Sequence, residues 1–435
     1  MADVRPFRGF RYHLPAGEDL AAILTPPYDV ITPEAQTAYY ERHPLNIIRL
    51  ELGRDEAGDD ALGNRYSRAA ALFAQWRLTG DLQLDPAPAV YVYQQEFTAQ
   101  GVAFTRTSVV ARVRLEPWEA GVILPHERTL AKPKSDRLRL LHACAANLSP
   151  IMALYDDPKK AVSKLLAKTT KSAPLAQCTD DQGETHALWA ITDPATVAKL
   201  TAFFAPGQLF IADGHHRYET ALTYRDEVAE VVRGLTPDDP ANFVLMALVA
   251  TNDPGLVVLP THRLVRGLDA ARLQALPASF APYWAVEPLA THSADEVVAA
   301  LTGAGKDGTV AAVVMTAQGQ WLLRLAPASQ ERLQATGEVE AWQKLDVAAV
   351  HELIVDAALG IPREAVATSD QISYTRDAAQ ALAAVAAGAA QVAILLNPTR
   401  PEQVRDVAAA GGRMPQKSTY FYPKLITGMV INPVW

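Results

Sequence analysis

Aspartate, histidine and arginine crowd into one five-residue run, Asp213-Gly214-His215-His216-Arg217, directly after the apolar stretch Leu209-Phe210-Ile211-Ala212. A short apolar stretch bounded by Gly207 and Gly214 reads as a buried strand, and Tyr218 to Val232 reads as a helix. A helix start exposes backbone N–H groups and the positive end of the helix dipole, both of which favour phosphate. Gly214 lets a ligand approach the backbone closely, and Arg217 carries a fork of donors matched to two phosphate oxygens. Read blandly, Asp213-Gly214 is a turn in which Asp213 caps the helix. That reading leaves His215, His216 and Arg217 without a purpose, so the run is assigned to phosphate binding and transfer. A metal shared by the two histidines fits less well, because neighbours on a helix point about 100° apart. No residue is assigned to a metal.

Pro125-His126-Glu127 follows a β-rich stretch. A carboxylate beside a phosphate site accepts the proton of an attacking hydroxyl; alone, a His-Glu pair on a loop reads as solvated. Lys417-Ser418-Thr419 follows Gly411-Gly412 and suits anionic oxygens. It lacks the glycine spacing of a Walker loop, and a polar turn before an aromatic strand explains it equally well. Thr261-His262-Arg263 ends a strand and either faces the same cleft or forms an ordinary surface turn. Lys132 and Lys134 either draw a nucleotide's charge or are simply solvated.

Several elements must position these residues. Thr32-Pro33-Glu34 reads as an N-cap and helix start, Asn46 to Leu52 as a short strand, and 63–78 as a helix ending near Gly80. Ala89 to Phe97 and Phe104 to Leu115 are rich in β-branched and aromatic residues, and Thr98-Ala99-Gln100-Gly101 joins them as a hairpin. Helical character over 135–147, a strand at Pro150 to Tyr155, a loop near Thr169 to Gly183 and a helix at 194–204 lead to the Leu209 strand. Phe243 to Ala250 and Leu256 to Arg263 continue as strands, and the alanine-rich 378–390 helix precedes a strand at 391–396. No fixed-period repeat occurs.

The 435 residues allow two or three domains, and 49% apolar with 20% charged residues is ordinary globular composition. A net charge of −8, with both signs interspersed, argues against coating a nucleic-acid backbone. Cys144 and Cys178 are too few for a disulfide framework and read as incidental thiols of a reducing compartment. The first residues lack a signal-peptide apolar run, and no stretch approaches the roughly 20 apolar residues that cross a bilayer. A cytoplasmic protein without membrane partners is expected.

Taken together, Pro-His-Glu at 125–127 and Asp-Gly-His-His-Arg at 213–217 resemble the free serine kinases of the ParB/sulfiredoxin-like superfamily. The resemblance implies that Glu127 is the base on the hydroxyl and that His126 orients substrate or phosphate. It also implies that Asp213, His215, His216 and Arg217 form the transfer and phosphate site. Where sulfiredoxins place their reactive cysteine this chain has His215, so sulfinic-acid repair is not implied. The Glu-Arg-Arg of ParB-type partition proteins is absent as well. The full length resembles a bacterial family without a settled activity, on Pro26-Pro27-Tyr28-Asp29-Val30, Leu124 to Glu127, the Asp213 run, Pro260 to Arg263 and Met414 to Lys424.

The expected fold is α/β, a mixed sheet with helices. A ParB/sulfiredoxin-like core with an insertion within 135–205 would occupy 1–270, and a further α/β domain 271–435. The expected activity is nucleotide-dependent phosphoryl transfer to a small hydroxyl metabolite such as free L-serine, or from O-phosphoserine, with ADP or ATP and Mg²⁺. His262, Arg263, Lys417, Ser418 and Thr419 would complete the binding set with Gly214. Small-molecule substrate and nucleotide are the expected partners, with a homodimer left open. The competing readings are a nucleotide-sensing regulator without turnover and a metal-dependent phosphatase.

Overall fold

The computed structural model describes residues 1–15, 17–129, 131–291, 293–366 and 369–435, the side chains of Ala131 and Lys132 excepted. The contacts among them group into two compact units, whose limits differ from a division at 270/271. The first takes 1–125, 129–257 and 423–435; the second takes 126–128 and 258–422. His262–Val265 is a strand of the second unit's sheet, and the segment from 423 onward returns to the first unit.

In the first unit, β1 (Val4–Arg5), β2 (Phe10–Tyr12) and β3 (Leu82–Leu84) precede the long hairpin β4 (Val90–Ala99) and β5 (Val102–Arg114). Gln100 and Gly101 both have positive φ, the backbone that a tight right-twisted hairpin demands. After these come β6 (Ile123–Leu124), β7 (Ala146–Asn147), β8 (Ile151–Tyr155), β9 (Ala176–Thr179), β10 (Thr185–Ile191), β11 (Leu209–Asp213) and β12 (Phe243–Ala250). A nine-stranded mixed sheet runs β6-β11-β8-β12-β5-β4-β10-β9, with β1 also on β5. β11 is parallel to β6, β8 is parallel to β12, and the other pairs are antiparallel. The mixed α/β class is therefore as the sequence implied. Strands inside the sheet are buried on both faces, which is why β8, β11 and β12 are almost wholly apolar.

The helices of this unit are α1 (Pro33–Arg42), α2 (Ile48–Glu51), α3 (Arg65–Thr79), α4 (Ala131–Cys144), α5 (Ala161–Thr169), α6 (Pro194–Phe204) and α7 (His215–Val231). Thr32 caps α1, and Asn64 with Ser67 forms a capping box on α3, which ends at the left-handed Gly80. α5, α6 and α7 bring Val162, Leu166, Leu200, Phe204, Tyr218 and Ala221 to the core with Val92, Val109, Ile211 and Met246. A second core gathers Phe10, Phe73, Trp76 and Leu140.

Three expectations are corrected. Asn46 to Leu52 is not a strand: the Asn46 side chain accepts the Ile48 N–H and opens α2. The 169–183 stretch contains the edge strand β9, whose partner β10 was also missed. The helix after Asp213 begins at His215 rather than Tyr218, which places His215, His216 and Arg217 in its first turn.

In the second unit, after the short β13 (Val257–Val258), an antiparallel sheet has the order β15-β17-β16-β19-β14-β18. Its strands are β14 (His262–Val265), β15 (Trp284–Pro288), β16 (Ala311–Thr316), β17 (Gly319–Leu325), β18 (Ile372–Thr375) and β19 (Val392–Leu396). Helices 294–305 and 378–386 supply Val297, Leu301, Leu382 and Val385 to a core with Val313, Leu322 and Leu395, against which Leu264 packs. Arg263, next along β14, points to the opposite face because strand side chains alternate. A π-helical turn, Val350–Asp356, is buried in this unit. Among the described residues no helix is long and apolar enough to cross a membrane.

Candidate functional site

The corner between β11 and α7 is built by three local constraints. The pairing of β11 with β8 shifts register between Ile211 and Asp213, a bulge-like irregularity at the end of the strand. Gly214 follows at φ 98°, left-handed backbone, and a Cβ there would lie 3.0 Å from Nη2 of Arg217. α7 then starts without a side-chain cap, its first intrahelical bond running from the Tyr218 N–H to the Gly214 carbonyl at 3.0 Å. Asp213 is thus not the helix cap. The amide N–H groups of the first turn, from His215 to Arg217, have no intrahelical acceptor, as at any helix start.

Asp213 receives two cations. Arg217 Nη2 donates to Oδ2 at 2.9 Å, and Lys424 Nζ donates to Oδ1. Burial alone would raise the Asp213 carboxyl, but Lys424 and then Arg217 outweigh it and hold the group well below the usual carboxylate range. Asp213 therefore stays ionised and makes a poor proton acceptor. Arg217 is anchored further, its Nη1 donating to the Pro150 carbonyl at 2.6 Å and to Ser149 Oγ at 3.1 Å. Both terminal nitrogens thus have protein acceptors, so the arginine braces the corner. His215 is buried and His216 is half-buried. Burial lowers the His216 imidazole, against the pull of Glu219 and Asp29.

Behind Arg217 the polar contacts continue through the first unit. Ser149 Oγ donates to Glu51 Oε1 at 3.3 Å; Arg137 donates to the Glu51 carbonyl at 2.9 Å and pairs with Asp136. Asp136 in turn accepts from Arg65 and Tyr66. The Arg137 guanidinium lies 4.0 Å over the ring of Tyr28. Burial raises the Tyr28 phenol to about 12, against the charges of Arg137 and Arg217. The Pro-Pro-Tyr-Asp-Val run thereby enters the same network. Lys134 is paired with Glu219 at 2.9 Å; the side chain of Lys132 lies outside the described residues.

Lys424 is the functional candidate that sequence reasoning left out of its site. It is the single charged residue between Ser418 and Trp435, which is the signal that could have found it. The hairpin β4–β5 holds it from behind: Gln95 Nε2 donates to the Lys424 carbonyl at 3.1 Å, and Arg106 Nη2 donates to the Pro423 carbonyl at 2.5 Å. Arg106 is fully buried, and that burial pushes its guanidinium down to about 10.

The other expected residues lie in the second unit, where the structure gathers most of them. His126 is buried, its Nε2 3.1 Å from Thr419 Oγ1, and its carbonyl accepts the Met414 N–H at 2.7 Å. Glu127 is half-buried. Arg263 Nη1 donates to the Thr261 carbonyl, and Nη2 lies 3.2 Å from the Lys417 carbonyl and 3.3 Å from His351 Nε2. Ser418 donates to Pro415 within its own turn, and the Lys417 side chain is exposed. Thr261-His262-Arg263 is therefore buried structure rather than a surface turn.

Among the described residues one group has metal-ligand spacing, Asp180, Glu184 and His186 at the β9–β10 turn, well apart in sequence from the assigned run. At the corner, Asp213 is a lone carboxylate whose oxygens already meet two cations, which is no cage for Mg²⁺. A Mg²⁺ there would have to bring most of its oxygens with it, from phosphate groups and water, the usual manner for this ion.

The model of the family described as "Protein of unknown function (DUF1015)" matches residues 4–348. No curated protein matches. Among solved structures, a free serine kinase in complex with AMP is 10% identical at a TM-score of 0.34, over 74% of this chain and 92% of that chain. SbnI with C-terminal truncation from Staphylococcus aureus is 11% identical at 0.34, over 73% and 85%. A conserved hypothetical protein from Pyrococcus furiosus is 11% identical at 0.33, over 73% and 92%. Likeness at this level says nothing of activity.

Proposed function

The chain belongs to the DUF1015 family, and we propose that it is a nucleotide-dependent phosphoryl transferase acting on a small hydroxyl metabolite. Free L-serine is the proposed acceptor, or O-phosphoserine the donor in reverse, with ADP or ATP as the nucleotide. One observation carries the reading: a helix start without a side-chain cap stands beside a lysine that an ionised aspartate fixes in place. Amides and a cation are what a transferring phosphoryl group needs, since its catalysis is mostly positioning and charge stabilisation. Within that scheme the first-turn amides and Lys424 hold phosphate oxygens, and Gly214 leaves room for them. Asp213 keeps Lys424 and Arg217 in register; His215 and His216 flank the transferred group. Mg²⁺, bound to the nucleotide, would neutralise phosphate charge.

An Asp213 carboxyl held below its usual range is a poor acceptor of the hydroxyl proton, which favours another group as the base. The Pro-His-Glu motif assigns it to Glu127, with His126 orienting the substrate. The ParB/sulfiredoxin-like resemblance of the two motifs supports the same division of roles.

The direct test incubates the full chain with Mg²⁺, ADP or ATP, and L-serine, following phosphoserine by phosphorus NMR. Phosphoserine formation that falls about 10²–10⁴-fold in Glu127→Gln supports the reading and the base. Nucleotide binding with every tested acceptor unchanged would move the protein to the class of nucleotide sensors. Phosphate release from phosphoserine that needs a metal but no nucleotide would make it a phosphatase.

A further inference from the structure

Arginines withdrawn from water are ordinarily met by a carboxylate, because a lone buried charge is costly. Arg263 is fully buried in the second unit, and among the described residues no aspartate or glutamate forms an ion pair with it. Beside the guanidinium are the buried His351 and the ring of Tyr374, 5.6 Å from Cζ, while the buried His262 precedes it on the strand. Burial pushes the His262 imidazole down to about 4, and the Arg263 charge adds to that; His351 is lowered for the same two reasons, with Arg363 adding to them. Asp377 acts on His262 in the opposite sense. Both shifts favour neutral imidazoles, so the Arg263 guanidinium is the charged group there, with no described carboxylate paired to it.

The guanidinium is held unevenly. Nη1 is fixed on the Thr261 carbonyl, whereas Nη2 has two long contacts, at 3.2 and 3.3 Å. Nε has no hydrogen-bond partner. Nε and Nη2 form the edge by which arginine grips two oxygens of one anion. His351, which borders that edge, sits in a π-helical turn, and such turns often mark functional sites.

We propose that the second unit binds an oxyanion, a phosphate or carboxylate group, on the Nε–Nη2 edge of Arg263 beside His351. The anion replaces the long contact to the Lys417 carbonyl and supplies the counter-charge the protein lacks there. Its binding reorders the Pro415–Thr419 turn, so Lys417, Ser418 and Thr419 respond to the ligand. This goes beyond phosphoryl transfer and does not depend on it, since no nucleotide is required.

The experiment follows thermal unfolding and calorimetric binding of the full chain with inorganic phosphate or with acetate, at ionic strength balanced by NaCl. Saturable stabilisation by one of them is expected, and the effective one names the ligand class. Arg263→Met should bind it on the order of tenfold more weakly or worse, as loss of a charge-assisted pair implies, while Lys344→Met, at an exposed lysine of the same unit, keeps wild-type binding. Methionine removes an uncompensated charge, so the variant should fold; His351→Gln is the second probe, with a smaller loss expected. No response to either anion, or an unchanged response in Arg263→Met and His351→Gln, overturns the proposal. A response lost in Lys424→Met but kept in Arg263→Met would place the anion at the Asp213 corner instead, overturning this inference while favouring the transferase reading.

Discussion

Asp213 shows how a single carboxylate couples charge to stability. Its folded-state pKa lies below the ordinary value near 4, so the unfolded chain binds more protons than the folded one in acid. The stabilisation it provides is complete above about pH 4 and is lost as pH falls through the lower folded value. Asp213→Asn should therefore unfold more easily at neutral pH, by about 3–5 kcal/mol, because two buried cations lose their partner. It should also show a shallower loss of stability between about pH 5 and pH 2 than the parent chain. Urea titrations across that range measure both effects. In Lys424→Met the expected outcome is different: nucleotide affinity drops about tenfold or more, as for a lost charged hydrogen bond, while acid sensitivity of the corner weakens. Isothermal titration with ADP separates the two variants.

At the level of elements, the corner depends on one backbone conformation. Gly214→Ala forces a side chain into left-handed backbone at a cost of about 1–2 kcal/mol. It also sets a methyl against the Arg217 guanidinium, where 3.0 Å is already tight. A lower denaturation midpoint with loss of nucleotide binding is expected; unchanged binding would separate Gly214 from the ligand. The strands around this corner were legible because their residues alternate or run apolar between glycines, as in β4, β5, β8 and β11. Asn46 to Leu52 was misread because a run as short as Ile47-Ile48-Arg49-Leu50 carries no period that separates strand from helix. Packing of α2 on α3 decided it. The helix reads from Tyr218 because apolar periodicity begins only there, whereas the chain already turns helical at His215, directly after Gly214. Lys424 could not be read at all from local pattern, since its meaning comes from a partner 211 positions earlier.

Over the whole molecule, the chain leaves the first unit near 257 and returns to it at 423. The returning segment is tied in by more than Lys424. Asn432 pairs with Asn147 in register, Ile431 exchanges backbone bonds with Phe10, and the Trp435 ring lies 6.1 Å from that of Phe10. Deleting 423–435 should destabilise the first unit, seen as a lower melting temperature and faster proteolysis of residues 1–257. It should also abolish nucleotide binding. Restoring the segment as a separate peptide should recover part of both, because its contacts are made by burial and hydrogen bonds rather than by continuity of the chain.

That return also sets a time order. A ribosome makes the Asp213 corner 211 positions before the lysine that completes it. Until Lys424 has been added, the aspartate has Arg217 but lacks its second cation, and the nascent corner is incomplete. The proposed phosphate site is thus complete only after both stretches of chain have been made.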